Sequence, residues 1–212
     1  MKMIKKYRWQ LILTSIIILL PVLAGLILWD KLPEQMPTHF NSQGVADGYS
    51  SKAFAVFGLP GILLAVHWLC MLGTSADPKK QNIPSKVFAI VLWICPVVSV
   101  IGDFATYSYA MGSKIDISRI VFLLVAVVFI IIGNLMPKLK QSYTVGIKLP
   151  WTLNDPENWN ATHRLAGKVW VIGGVLMLFG NFFGGIAPFL TITALMVLIP
   201  TVYSYIYYVR HK

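Results

Sequence analysis

The chain has 212 residues, of which 57% are hydrophobic and only 12% are charged. An average soluble domain carries about 25% charged residues, so most of this surface must face something other than water. The formal net charge is +10, and attraction to anionic lipid accounts for such a charge in a membrane protein. We therefore predict an all-α integral membrane protein and expect no direct binding of nucleic acid.

Six segments are long and apolar enough to cross a bilayer, which takes about 20 helical residues. We place these transmembrane helices at residues 9–29, 54–73, 87–111, 117–136, 168–185 and 186–209. Only Gly184-Gly185, followed by Pro188, separates the last two. The basic leader does not indicate a cleaved signal peptide, because the apolar run 11–28 is too long and no Ala-x-Ala site follows.

Lysine and arginine are distributed unevenly between the segments that join these spans. If the N-terminus lies inside, the inner segments hold most of the 18 Lys and Arg. This bias follows the positive-inside rule, which places both termini in the cytoplasm. Residues 30–53 then form an extracellular loop, and residues 137–167 form a cytoplasmic segment.

The extracellular loop contains residues that restrict the backbone. Pro33 and Pro37 favour an extended path, and Asp47-Gly48 is a typical two-residue hairpin turn. We therefore expect one short, ordered loop rather than a flexible tether. His39 and Asp47 are too few for a metal site, which needs three or four ligands. We expect His39 to pack on the turn or to face water.

The cytoplasmic segment begins where Pro137 ends the fourth span, and its β-branched and aromatic residues then favour an extended path. Asn154 or Asp155 is a suitable N-cap, with Pro156 in the first turn. We predict an interfacial helix from there to Leu165, separate from the fifth span.

Two interpretations remain for the tryptophans of this segment. Trp151 and Trp159 could anchor the segment in the head-group layer, as aromatic residues do at membrane interfaces. Their clustering with Thr152, His163 and Arg164 also fits a recognition surface.

Asp103 is the single carboxylate inside a predicted span, and such residues are candidates for function. Tyr107 lies one turn away, and Arg119 opens the next span. Asp103 therefore either makes a structural contact with one of these residues or belongs to a ligand or proton site.

Cys70 and Cys95 fall within spans and are expected to be apolar fillers. No metal or cofactor motif occurs, so we predict neither.

Two stretches resemble known family signatures. LPEQMPTHFNSQGVADGYSSK, residues 32–52, resembles the N-terminal signature of a widespread bacterial membrane family. GNLMPKLKQSYTVGIKLPWTLNDPENWNATHRLAGKVWVIGG, residues 133–174, resembles the C-terminal region of the SdpI family of six-span proteins. The positions that carry this second resemblance are Gly133, Asn134, Pro137, Lys140, Gly146, Ile147, Pro150, Trp151, Thr152, Leu153, Trp159, Thr162, His163, Arg164 and Gly167. Two positions depart from it: Ser142 replaces the usual asparagine, and Lys148 replaces the usual arginine.

The resemblance implies an immunity protein of the bacterial cell membrane that protects against a bacteriocin-like peptide toxin. It also implies signalling, by tethering a cytoplasmic transcriptional repressor. We expect the outer side to contact the toxin through Pro37, His39, Phe40, Asn41, Gly44, Asp47 and Asp103. We expect the cytoplasmic partner surface to comprise Lys148, Pro150, Trp151, Thr152, Trp159, Thr162, His163 and Arg164.

Two other functions compete with this prediction. A small-molecule or ion transporter would use Asp103 as its site, but a proton-coupled mechanism would lack further relay carboxylates. An enzyme acting through His39 or His163 would lack a paired acid, base or nucleophile. We therefore predict a protein that is not an enzyme.

Overall fold

The computed structural model describes residues 2–183 and 186–211, which are mostly helical. Its regular elements are α1 (Lys2–Ile27), β1 (Gln35–Phe40), β2 (Ala46–Ser51), α2 (Leu59–Ala76), α3 (Ser85–Leu92), α4 (Ile94–Ala110), α5 (Ile117–Leu135), α6 (Pro150–Asn154), α7 (Pro156–Phe183) and α8 (Ile186–Arg210). A π-helical turn (Phe54–Gly58) precedes α2, and 3₁₀ turns occupy Lys80–Asn82 and Met136–Lys138. The predicted border at Gly184-Gly185 lies outside the described residues.

Five stretches of helix are long and apolar enough to cross a membrane: Met3–Ile27, Phe54–Ala76, Ser85–Ala110, Ile117–Lys138 and Ile186–Arg210. They match five of the six predicted spans to within a few residues. The remaining predicted span, residues 168–185, falls in the second half of α7, which is not among these five. That half of α7 nevertheless exposes an apolar stripe formed by Ile172, Leu176 and Phe179.

The third predicted span consists of two helices rather than one. α3 ends at Leu92 and α4 begins at Ile94. Pro96 has no backbone N–H to donate to the carbonyl of Leu92, four residues earlier, so the hydrogen-bond ladder is interrupted here.

The loop of residues 30–53 contains the antiparallel hairpin β1–β2, a small strand element in an otherwise mostly helical protein. The turn predicted at Asp47-Gly48 is wrong, since both residues lie within β2. The chain reverses at residues 41–45, where Asn41 Oδ1 accepts hydrogen bonds from the backbone N–H groups of Gln43 (3.0 Å) and Val45 (3.1 Å). Gly44 adopts φ +75° within this turn, a conformation that glycine tolerates best.

The predicted separation between an interfacial helix and the fifth span is wrong. α7 does begin at Pro156, and Asp155 Oδ1 accepts a hydrogen bond from the N–H of Glu157 at 2.8 Å. The helix then continues without a break through Leu165 to Phe183. Gly167 does not end it: a Cβ there would lie 2.8 Å from the carbonyl oxygen of Gly133, so this glycine permits a close helix contact instead.

The chain divides into two compact units, one comprising Met1–Ser75 and Ala89–Val121, the other Ala76–Phe88 and Phe122–Lys212. The core of the first unit consists of Leu32, Met36, Ala55, Val56 and Tyr107. The core of the second unit consists of Ala126, Met177 and Met196, with partly buried neighbours including Trp170. Each unit contains one of the two signature regions.

Candidate functional site

Asp77, directly after α2, anchors the first part of the signature segment in the second unit. Its Oδ2 atom accepts hydrogen bonds from the Ser142 hydroxyl (2.7 Å), the Thr144 hydroxyl (2.8 Å) and the backbone N–H groups of Tyr143 (2.9 Å) and Thr144 (3.1 Å). Its Oδ1 atom accepts from the N–H of Lys79 at 2.7 Å. Asp77 is only 2% exposed, so its carboxylate binds residues 142–144 from the buried side of that loop.

The hydrogen-bond donors around Asp77 stabilise its negative charge. Burial raises the pKa of its carboxyl group, but the hydrogen bonds from Ser142, Lys79, Thr144 and Tyr143 outweigh burial, so the pKa lies below its usual value. Asp77 is therefore a carboxylate at neutral pH. Ser142, which departs from the usual asparagine of the family, supplies one of the shortest of these hydrogen bonds.

Gln141 joins three parts of this network. Its side-chain carbonyl accepts from Lys79 Nζ at 3.0 Å, and its backbone carbonyl accepts from Asn82 Nδ2 at 2.8 Å. Its Nε2 atom donates to the backbone carbonyls of Thr152 (2.9 Å) and Leu153 (3.2 Å) in α6. The connection between α2 and α3 is thereby fastened to the signature segment.

His163 and Trp159 form the buried centre of the segment, with exposures of 1% and 0%. His163 Nδ1 lies 2.8 Å from the carbonyl oxygen of Trp159, so it must donate there. Nε2 then carries no proton and accepts the N–H of Ile147 at 2.9 Å. Burial lowers the pKa of the imidazole, and the bond to the Trp159 carbonyl offsets this only in part. His163 is therefore a neutral structural acceptor.

Trp159 completes this centre and corrects one prediction. Its ring stacks on His163 with centroids 4.0 Å apart, and its Nε1 donates to the carbonyl of Leu139 at 2.8 Å. Trp159 is thus a core residue, and its prediction as a head-group anchor is wrong. Gly146, at φ +122°, has no space for a side chain, because a Cβ would lie 2.6 Å from the Trp159 ring and 2.7 Å from His163 Nε2.

The remaining signature residues fasten α6 and α7 to α8 at Ser204. Trp151 Nε1 donates to the Ser204 hydroxyl at 2.9 Å, and Asn158 Nδ2 donates to the Ser204 carbonyl at 3.0 Å. The Thr162 hydroxyl donates to Asn158 Oδ1 at 2.9 Å. The Thr152 hydroxyl oxygen accepts the Leu149 N–H at 3.0 Å and so stabilises the start of α6.

The exposed part of the second signature, residues 133–174, is smaller than the sequence suggested. Thr152, Trp159, Thr162 and His163 are buried, and Trp151 is half-buried. Of the predicted partner surface, Lys148, Pro150 and Arg164 are exposed. Exposed neighbours include Tyr143, Glu157 and Lys168, so the outward surface combines basic side chains with one carboxylate and one aromatic ring.

The hairpin of the first unit arranges its signature residues differently. Pro37 is buried, and Phe40 packs edge-on against Tyr109 with ring centroids 5.1 Å apart. His39 Nδ1 pairs with Asp47 Oδ1 at 2.5 Å across the strands, and their side chains are 74% and 44% exposed. Of the two outcomes that we expected for His39, exposure to water is the observed one. Tyr49 and Val45 are also exposed.

Lys52, the last residue of the first signature, is buried. Its Nζ forms an ion pair with Glu34 at 2.9 Å and donates to the carbonyl of Trp29 at 3.1 Å, just beyond the end of α1. It therefore joins the base of the hairpin to α1.

Asp103 lies apart from the exposed hairpin residues. It is buried and accepts a hydrogen bond from the Ser99 hydroxyl at 3.1 Å, while Ser99 Oγ also lies 2.9 Å from the carbonyl of Ile18. The two contacts predicted for Asp103 are not the ones observed: the Tyr107 hydroxyl donates to the Pro21 carbonyl at 3.2 Å, and Arg119 pairs with Asp116 at 2.9 Å. The bonds from Ser99 to Ile18 and from Tyr107 to Pro21 connect α4 with α1.

Sequence reasoning missed Asp77, Gln141 and Ser204. Among the described residues there is no group of three or more His, Cys, Asp or Glu side chains that could hold a metal ion. The sequence carried one signal for Asp77: it lies four residues after the predicted span 54–73 and directly before Pro78.

Comparisons with known proteins agree with the two signatures. The model of the SdpI/YfhL protein family matches residues 138–207, and the model of a domain of unknown function, DUF1648, matches residues 16–64. The chain is 29% identical over 204 residues to Immunity protein SdpI of Bacillus subtilis (strain 168), covering 93% of this chain and 95% of that protein. No solved structure matches the chain at a significant level.

Proposed function

The chain belongs to the SdpI/YfhL protein family and is a multi-pass protein of the bacterial cell membrane, and from this premise we propose that it confers immunity to a membrane-active peptide toxin. The observation that carries the proposal is the similarity to Immunity protein SdpI, which extends over 93% of the chain. Both signature regions are included in that alignment.

The proposed topology has six spans and cytoplasmic termini. The second half of α7 supplies the remaining span, supported by the lipid-compatible stripe of Ile172, Leu176 and Phe179. The excess of lysine and arginine in the segments assigned to the inside supports the orientation. The hairpin is then extracellular, and residues 137–167 are cytoplasmic.

The hairpin is the proposed site of toxin contact. His39, Asp47 and Tyr49 are exposed together on two paired strands, while Asn41 and Gly44 hold the turn. Aromatic and charged side chains on a preorganised backbone suit the recognition of an amphipathic peptide, since little ordering entropy is lost on binding. The buried Pro37 and the Phe40 ring, which packs against Tyr109, hold the strands that carry this surface.

The exposed part of the cytoplasmic segment is the proposed readout surface, and a tethered transcriptional repressor is its proposed partner. Tyr143, Lys148 and Arg164 are exposed there. The buried residues Thr152, Trp159, Thr162 and His163 contribute by holding these side chains in place.

The proposal is tested by expressing the protein in a bacterium that is sensitive to the sporulation-delaying peptide toxin for which the family is named. Survival in the toxin should rise relative to cells with an empty vector, at equal membrane abundance of the wild type and its variants. Survival unchanged by correctly inserted protein would contradict the immunity function.

Signalling is tested separately from protection. The double variant Tyr143→Ala/Lys148→Ala should weaken the transcriptional response to toxin while leaving protein abundance unchanged, with Lys86→Ala as a control for loss of an exposed lysine. An unaltered response in the double variant would remove the readout surface from the proposal without affecting the immunity function.

A further inference from the structure

The second unit contains a polar cleft, of whose lining residues only Arg164 also belongs to the proposed readout surface. Its volume is about 370 Å³, and it is lined by Pro137, Glu157, Asn160, Arg164 and Tyr207. Small-molecule sites commonly have volumes of about 300–1,000 Å³, so the cleft has room for a ligand group.

The charged groups of the cleft have no partners of their own. Glu157 and Arg164 lie seven residues apart on one face of α7, with Asn160 between them. Within the described part of the chain, neither Arg164 nor Glu157 makes an ion pair or side-chain hydrogen bond, and they do not pair with each other. One cation, one anion and one amide therefore line the same space with their hydrogen-bonding capacity unused. The complementary ligand carries both a negative and a positive charge.

The position of the cleft along the helices indicates where this ligand comes from. Pro137 lies in the last turn of the span Ile117–Lys138, and Tyr207 lies in the last turn of the span Ile186–Arg210. The ends of spans coincide with the lipid head-group layer, outside the hydrocarbon core of about 30 Å. A head group is thus present at this level at high local concentration.

We propose that the polar cleft binds the head group of a zwitterionic aminophospholipid of the phosphatidylethanolamine class. The phosphate is recognised by Arg164, Asn160 and the Tyr207 hydroxyl, because guanidinium groups form strong charge-assisted hydrogen bonds with phosphate. The primary ammonium is recognised by Glu157. An anionic lipid lacks the ammonium, and a choline lipid has no N–H to donate, so both should bind more weakly.

Native mass spectrometry of the purified full chain in detergent tests the proposal, with phosphatidylethanolamine, phosphatidylglycerol and phosphatidylcholine of identical acyl chains as probes. The wild type should prefer phosphatidylethanolamine. Arg164→Gln should weaken phosphatidylethanolamine and phosphatidylglycerol binding about tenfold, since a hydrogen bond to a charged group contributes this much. Glu157→Gln should weaken phosphatidylethanolamine binding about threefold, as expected for an exposed ion pair, and should not weaken phosphatidylglycerol binding.

The matched control is Lys86→Gln, which removes an exposed positive charge of the same unit outside the cleft and should leave all three affinities unchanged. If Arg164→Gln disturbs the fold, Tyr207→Phe replaces it, because it removes only a hydroxyl; about a threefold loss of phosphatidylethanolamine binding is expected. Equal affinities for the three lipids, or an Arg164→Gln variant that binds like Lys86→Gln, would overturn the proposal. So would equal competition by soluble phosphoethanolamine, which would show that the ligand is a free head group rather than a lipid.

Discussion

The hairpin β1–β2 and the segment of residues 139–168 both carry dense family signatures, but they use them in opposite ways. In the hairpin, the signature pair His39 and Asp47 is exposed to solvent. In residues 139–168, Trp159 and His163 are buried and fully engaged in hydrogen bonds within the second unit. A dense motif therefore indicates a surface in one region and an internal scaffold in the other. If this contrast is right, substitutions in the two regions should separate loss of stability from loss of protection.

The largest loss of stability is expected at Asp77. Asp77→Ala leaves five buried or partly buried donors without their acceptor, which should lower the free energy of unfolding by about 3 kcal/mol or more. Thermal unfolding of the purified protein in detergent measures this, with the exposed Asp30→Ala as control. Equal melting temperatures for the two variants would show that the Asp77 network is not a scaffold.

A somewhat smaller loss is expected at Gly146. Gly146→Ala places a Cβ against the Trp159 ring in a backbone conformation, φ +122°, that alanine rarely adopts. A decrease of about 2–3 kcal/mol in the free energy of unfolding is expected. Gly102→Ala is the control: nothing lies within 4 Å of its Cβ position, so that helical substitution should be neutral or stabilising. Similar behaviour of both variants would rule out close packing at Gly146.

His163 should make stability depend on pH. Burial holds its folded pKa below the ordinary histidine value of 6.5, so below that pH the unfolded chain binds a proton that the folded chain does not. Stability should therefore be full above pH 6.5 and fall as the pH drops towards the folded pKa, by at most about 1.4 kcal/mol per pH unit. Melting temperatures between pH 8 and pH 5 should show a slope that His163→Gln reduces and His39→Gln does not. An unchanged slope in His163→Gln would mean that another group titrates.

The smallest effect on stability is expected in the hairpin. His39→Gln with Asp47→Asn changes a polar contact whose side chains are largely exposed, and exposed pairs of this kind contribute less than about 1 kcal/mol. The melting temperature should stay close to that of the wild type, in contrast to Asp77→Ala. A large decrease would make the exposed pair part of the scaffold and would remove the contrast between the two regions.

Local patterns in the sequence predicted much of the fold. Hydropathy located the five helical stretches that are suited to crossing a membrane, and Asp155 with Pro156 marked the start of α7. The predictions that failed concern features that depend on contacts between residues distant in the sequence. The local pattern suggested a border near Gly167, whereas α7 continues through it and Gly167 packs closely against Gly133.

The same distinction applies to the candidate site. The motif identified Trp159, Thr162 and His163, but it did not show that they face inwards. That orientation depends on the Leu139 carbonyl and the Ile147 N–H. Asp77 was missed because four of its five hydrogen-bond donor groups lie 65 to 67 residues further along the chain. The position of the hairpin turn was missed because Asn41, a side-chain acceptor for two N–H groups, outweighs the turn preference of Asp47-Gly48.

The most direct test of the central claim is a survival curve against the sporulation-delaying peptide toxin for cells that express the wild type, His39→Ala/Tyr49→Ala or the control Lys114→Ala at equal membrane abundance. The hairpin variant should retain the wild-type melting temperature but shift the protective curve to about tenfold lower toxin, the size of effect expected when aromatic contact residues are removed. Lys114→Ala should protect like the wild type. Full protection by a correctly inserted hairpin variant would contradict toxin recognition by this surface.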